Sequence, residues 1–180
     1  MHRLSSTSLL SKAIFLSIVL GATMSACAGG GDDGDGDAGG DVLDVPADSA
    51  KLFPYLQEGA YKAFASETQV HPSAGPHGMV KTFLSSTLDA SLLAHNGEHP
   101  VGAAAVKELY SSDGRDLIGW SVMVKTADAS DGGKGWYWYE ITSTTSGANP
   151  LANGNGVGLC TGCHGGTDNL DFVLTPYPLR

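Results

Sequence analysis

The chain has 180 residues and carries 10 basic against 19 acidic side chains, a net charge of −9. That balance argues against nucleic acid and anionic membrane surfaces as partners. With 42% hydrophobic residues, there is enough apolar surface for one core of ordinary size.

The first 26 residues read as a secretory signal. Arg3 and Lys12 supply the basic region, and Ala13 to Ala22 is apolar but too short to span a bilayer comfortably. Cleavage is expected after Ala26, and Met24-Ser25-Ala26-Cys27 resembles a bacterial lipoprotein box with methionine where leucine is usual. Cys27 is therefore the expected lipidation site. The alternative is ordinary cleavage or a cysteine left inside an uncleaved signal, and an unpaired thiol in an oxidising compartment is a liability. Ala28 rather than aspartate follows the cysteine, which points to the outer membrane of a diderm bacterium, facing the periplasm or the cell surface, with membrane contact through the lipid only. Loss of the signal removes Arg3 and Lys12, leaving 8 basic against 19 acidic side chains, or −11.

Residues 27–45 then form a lipidated cysteine and a tether. Ala28 to Asp41 is nearly all glycine and aspartate, with no apolar residue large enough to anchor a core, so it is predicted disordered with a reach on the order of 20 Å. The run Asp33-Gly34-Asp35-Gly36-Asp37 is spaced like part of a calcium loop but lacks the closing glutamate. A solvated acidic spacer is the simpler reading. The folded domain is expected over 46–180, roughly 135 residues, as a single α+β domain with a mainly antiparallel sheet and a few helices.

Within it, Leu52 to Phe64 is predicted helical, because Leu52, Tyr55, Leu56, Gly59, Ala60 and Ala63 share a face opposite Gln57, Glu58 and Lys62. Val70 to Gly78 carries two prolines and two glycines and is expected to be a loop. Met79 to Ser85 reads as a strand, Leu88 to Ala94 as a short helical turn, and Asn96-Gly97 as a turn. Val101 to Tyr110, Leu117 to Thr126 and Gly135 to Thr142 are stronger strand candidates, separated by Ser111-Ser112-Asp113-Gly114 and Asp131-Gly132-Gly133. Strand alternation sets Ala103, Ala105 and Lys107 on one face. Two alanines leave a flat depression for a planar ligand with the lysine at its edge, although periodicity alone favours a solvated strand lysine. Trp136 and Trp138 on one side, with Tyr137 and Tyr139 on the other, fit sheet packing and cofactor lining equally.

Near the C-terminus stands Cys160-Thr161-Gly162-Cys163-His164, a Cys-x-x-Cys-His run. It is the attachment signature of c-type haem, in which two thiols add across the vinyl groups and the adjacent histidine is the proximal iron ligand. A zinc site would want a second Cys/His pair, and none exists. A thioredoxin-like motif would want a strand before and a helix after, whereas Gly154, Gly156 and Gly158 precede this run and Gly165 and Gly166 follow it. A C-terminal loop carrying one covalent haem c is therefore expected. The three cysteines divide into one for lipid and two for haem, with none for a disulfide.

Several stretches together resemble the cytochrome P-460 family, which also contains the cytochromes c′-beta. They are Val106-Lys107-Glu108-Leu109, Gly119 to Lys125, Gly135-Trp136-Tyr137-Trp138-Tyr139, Cys160 to His164, Asp171-Phe172-Val173-Leu174-Thr175, and Tyr177-Pro178, spread over most of Met79 to Arg180 in the family's order and rough spacing. The resemblance implies an antiparallel sheet with helices, an iron held only by the proximal histidine, and commonly a homodimer. It implies too that Lys107 stands where the cytochromes P-460 bond a lysine covalently to the macrocycle, which reverses the reading from periodicity and leaves Lys81 and Lys125 as lesser candidates. The distal carboxylate used as proton acceptor in hydroxylamine oxidation falls on Ser121, a poor base near neutral pH. Glu108 and Glu140 are the nearest replacements in sequence, with alternation placing Glu108 opposite Lys107.

Three functions compete at this point. The first is an oxidoreductase acting on a small nitrogen species such as hydroxylamine or nitric oxide at an open haem iron, passing electrons to a soluble acceptor. The second is a nitric oxide binder without turnover, as the c′-beta members are. A plain electron carrier is the third, which would need a sixth iron ligand from Met123, Met79, His77 or His99, although methionines more often fill cores and histidines more often sit in loops.

Overall fold

A seven-stranded antiparallel sheet dominates the computed structural model, which describes residues 43–166 and 170–180. In chain order the elements are helix α1 (Ser49–Glu58), strands β1 (Ala65–Ser66), β2 (His71–Pro72) and β3 (Met79–Leu84), helix α2 (Ser86–Leu93), strands β4 (Ala104–Tyr110), β5 (Leu117–Lys125), β6 (Trp136–Ile141) and β7 (Ala152–Asn155), and helix α3 (Gly158–His164). From β3 to β7 the sheet is a meander of sequence neighbours, while β1 and β2 both pair with β3 and together make one interrupted edge. Sequence and structure agree on a single α+β domain built on an antiparallel sheet. The expected signal, Cys27 and most of the tether fall on residues 1–42, outside the described residues.

Period-2 alternation sorts the sheet's side chains into two cores. On one face Phe83, Ala104, Val106, Trp120, Val122, Val124, Tyr137, Tyr139 and Ile141 pack under α1 with Leu52, Leu56 and Tyr61. On the other, Leu84, Ala105, Met123, Trp136 and Trp138 pack under α2 and the C-terminal segment, with Cys160 of α3 against them. The tyrosines of β6 thus belong to the α1 face and its tryptophans to the face that meets α3.

Four local expectations are corrected. The helix expected at Leu52 begins at Ser49, because the Asp48 carboxylate accepts hydrogen bonds from the Ala50 and Lys51 N–H groups at 2.9 and 3.2 Å. It stops at Gly59, whose φ of 72° is left-handed, and a 3₁₀ turn over Ala60–Ala63 replaces the rest. The loop expected over 70–78 contains β2, where Pro72 is tolerated because an edge strand need not donate from every residue. The core also reaches behind residue 46: Val45 is buried and Leu43 packs against the same cluster.

The fourth correction bears on the site, since Cys160 to His164 lies on helix α3 and not in a loop. The flanking glycines bound the helix without breaking it, and the Gly165 N–H closes its end on the Thr161 carbonyl at 2.9 Å. What seats α3 is Gly133, buried with φ 92°: a Cβ there would come within 2.4 Å of the Thr161 methyl group. The glycine lets the helix lie down on the β5–β6 connection.

Candidate functional site

The sheet register gathers polar residues that sequence separates widely. Thr82, Lys107, Ser121 and Glu140 are successive cross-strand partners on β3, β4, β5 and β6, so they form one row on the face that α3 covers. The next row along the strands runs Leu84, Ala105, Met123 and Trp138 and gives that face an apolar floor. Above it, the His164 ring sits 4.9 Å from that of Trp138. Lys107, Ser121 and His164 line a single small cavity together with His77, Ala105, Met123, Trp138, Leu174 and Thr175.

His164 is oriented by the C-terminal segment, with its Nδ1 2.8 Å from the Phe172 carbonyl oxygen. An Nδ1–H donating there leaves the ring's lone pair on Nε2, the tautomer a metal needs. Burial pushes the His164 imidazole below its ordinary value, the carbonyl contact opposes this, and Lys107 and His77 reinforce it. The neutral ring is thus favoured, which is the ligating form. Asp171 and Phe172 both have positive φ, 47° and 68°, a strained turn for residues with side chains. Asp171 anchors it: its carboxylate accepts from Lys125 Nζ at 2.7 Å, from the His99 N–H at 2.8 Å, from Trp136 Nε1 at 3.3 Å and from the Ser130 hydroxyl.

Lys107 is half-buried. Burial lowers the pKa of its ammonium, with Glu67 and Glu140 pulling it part of the way back. A depressed lysine presents more neutral amine and is the better nucleophile. The lesser candidates separate cleanly from it. Lys81 lies over the Phe83 ring, and Lys125 is fully buried in its pair with Asp171.

Of the two replacement carboxylates, Glu108 is consumed elsewhere. It lies on the α1 face as alternation required, accepting from the Tyr61 and Tyr110 hydroxyls at 2.6 Å each. Glu140 is the carboxylate that reaches the site: it stands opposite Ser121, and its Oε2 is 3.6 Å from His77 Nδ1. The loop position of His77 gave no sequence signal for this meeting, and Glu140 carried only the alternation that puts it on the tryptophan face. Among the other expected sixth ligands, Met123 is part of the core floor and Met79 lines the neighbouring groove. His99 is buried away from the cavity, with Nδ1 2.8 Å from the Ser91 hydroxyl.

The Cys160 thiol does not resemble that of a redox dithiol. Burial, with Glu140 and Cys163 adding to it, pushes the Cys160 thiol up to about 11, the reverse of the depressed values that make such cysteines reactive. Cys160 is half-buried and Cys163 exposed. Among the described residues no three His, Cys, Asp or Glu side chains converge as a bare metal ion would require. The donor set does fit haem: two thiols three positions apart, a neutral histidine beside them, an apolar floor and an amine at its edge. Beside the cavity, sharing His77 and lined also by Glu140, Met79, Leu109, Tyr110 and Ile118, a groove of about 570 Å³ opens to solvent, within the range of cofactor sites. Comparison with protein-family models and with curated proteins finds no match.

Proposed function

We propose that this chain is an exported c-type haem protein of the cytochrome P-460 kind, performing redox chemistry on a small nitrogen species, hydroxylamine or nitric oxide, at an iron held by His164. The observation that carries this reading is the convergence of Lys107, Ser121 and His164, distant in sequence, on one cavity. A haem bound there would supply one-electron chemistry and a ligand position that none of these side chains provides. Cys160 and Cys163 are its attachment points, and Lys107 is the residue for a third covalent link. A soluble electron acceptor and a homodimer complete the proposal, with Cys27 as the lipid anchor; loss of palmitate-analogue labelling in Cys27→Ala checks the anchor.

The chain's own groups divide the work. His164 donates from Nδ1 to Phe172 and so keeps its ligating nitrogen unprotonated. The Ser121 hydroxyl would offer a hydrogen bond to a bound ligand, and Glu140, its cross-strand neighbour, would accept the ligand's proton. Glu140→Gln is therefore expected to lower hydroxylamine oxidation by ~10² to 10⁴, the usual worth of a general base. Ser121→Glu in that background moves the carboxylate one strand over and should restore part of the rate. Unchanged turnover in Glu140→Gln would assign the proton to another group.

The absorption spectrum of the purified ferrous protein tests the reading as a whole. A red-shifted Soret band that reverts in Lys107→Arg, with the matching change in the mass of the haem peptide, is the expected result. An ordinary high-spin band identical in both proteins would favour the second reading, a nitric oxide binder of the c′-beta kind, which Ser121 at the expected carboxylate position supports.

A further inference from the structure

We propose that Tyr110, Glu108 and Tyr61 form a proton-coupled relay, which carries oxidising equivalents away from the site to the surface on the α1 side of the sheet. The inference goes beyond turnover at the iron, and it rests on the c-type haem reading only for the source of the oxidant.

Glu108 is 3% exposed, and burying a carboxylate is costly unless it is paired and hydrogen-bonded. Lys62, the cation beside it, is 3.6 Å away and 58% exposed. What holds the carboxylate is a pair of phenols: Tyr61 donates to one oxygen and Tyr110 to the other, each at 2.6 Å. Bonds of this kind to an ionised acceptor are short and strong. They join two oxidisable rings through one group that can take up a proton. Burial first, and then the bond to Glu108, raises both hydroxyls above the ordinary phenol value, so the phenols keep their protons until an electron leaves.

The ends of the trio are placed differently. Tyr110, half-buried at the end of β4, lines the solvent-open groove that Glu140 also lines, beside the small cavity. Tyr61 is fully buried under α1, where its hydroxyl accepts from Trp120 Nε1 at 2.9 Å. Its ring centroid lies 6.4 Å from that of Tyr55, which is half-buried on α1. The rings therefore run from the groove to the helix surface.

The step balances without leaving a new charge in the core. Tyr61 loses one electron, its hydroxyl proton crosses the 2.6 Å bond to Glu108 Oε1, and a neutral phenoxyl then faces a neutral carboxylic acid. A buried anion is discharged in the same step. The terminal oxidant is hydrogen peroxide acting at the haem, and two such electrons, with two protons from solvent, take each peroxide to two waters. A soluble reductant such as ascorbate returns the electron through Tyr55, and the proton goes back from Glu108 to Tyr61.

The test mixes the full-length protein carrying covalent haem with hydrogen peroxide and freezes it for electron paramagnetic resonance. A tyrosyl signal is expected, identified by its narrowing when the protein is grown on ring-deuterated tyrosine, and it should form more slowly in heavy water than in light. Tyr61→Phe and Tyr110→Phe should lose it. Glu108→Gln, which keeps an acceptor for the phenols but cannot take the proton, should lose it too, while Tyr55→Phe should keep it and respond slowly to ascorbate. In a second arm the haem-free Cys160→Ser/Cys163→Ser protein, oxidised by photogenerated ruthenium(III) tris-bipyridine, should give the same signal with the same dependence on Glu108. A haem protein without the signal, a signal that survives both phenylalanine substitutions in either arm, or equal rates in the two solvents would overturn the relay. Absence of covalent haem from the wild type would overturn the haem reading alone, and the ruthenium arm would then decide the relay.

Discussion

Replacing Cys160 and Cys163 together by serine is expected to abolish all haem that survives acid–acetone extraction, taking the covalent stoichiometry from one per chain to none. These are the only two cysteines at haem-attachment spacing in the sequence, and no other pair can take over the thioethers. The fold itself should persist, because α3 contributes no buried residue to either core and the sheet is built without it. Serine is nearly isosteric with cysteine, so the apo variant should keep the far-ultraviolet spectrum and cooperative melting of apo wild type. Single replacements should leave one thioether and a less stable adduct. Haem that remains attached in the double variant would sink the central proposal.

The second large effect concerns stability. Asp171→Asn is expected to cost about 3 to 5 kcal/mol, the range for removing one partner of a buried ion pair, which for a domain of this size lowers Tm by roughly 10 to 20 °C. Lys125 is fully buried and Asp171 nearly so, at 3% exposure. With the aspartate neutralised, the ammonium keeps the Ser130 hydroxyl and the Trp136 ring as uncharged partners, and the nearest remaining carboxylate is Glu98 at 3.6 Å, a side chain more than half exposed. Lys125→Met should cost less, since the carboxylate it strands still accepts from the His99 N–H, Trp136 and Ser130. The double variant should then cost less than the two single effects added together.

The same pair gives a pH signature. Burial by itself would raise Asp171, but the bonds from Lys125, Ser130, the His99 N–H and Trp136 outweigh it and hold the carboxyl below its ordinary value. A folded-state pKa below the unfolded one means that this stabilisation is fully present above the unfolded value of about 3.9 and is lost as pH falls through the folded one. Between neutrality and pH ~5 the wild type should therefore show no loss from this group, with the loss confined to stronger acid. Asp171→Asn should lack that acid component in a series of urea melts. A wild-type curve that already falls steeply between pH 7 and 5, and flattens in the variant, would contradict the assignment. Because Phe172 follows Asp171 and holds His164 through its carbonyl, the ion pair also braces the proximal histidine.

What the sequence determined by itself was local chemistry and facing. Cys160, Cys163 and His164 form a motif legible in five consecutive residues, and a period of two was enough to separate Lys107 from Glu108 and the tryptophans of β6 from its tyrosines, because a strand has only two faces. The site around them depends on pairings that no local pattern encodes. Ser121 meets Glu140 through the β5–β6 register, and His77 reaches His164 from a loop 87 positions away in the chain. Lys125 finds Asp171 across 46 positions. The helix at Cys160 was hidden for a related reason. Seven residues bounded by glycine have little helix propensity of their own, and it is docking of Thr161 on Gly133, together with the His164 bond to Phe172, that fixes their conformation.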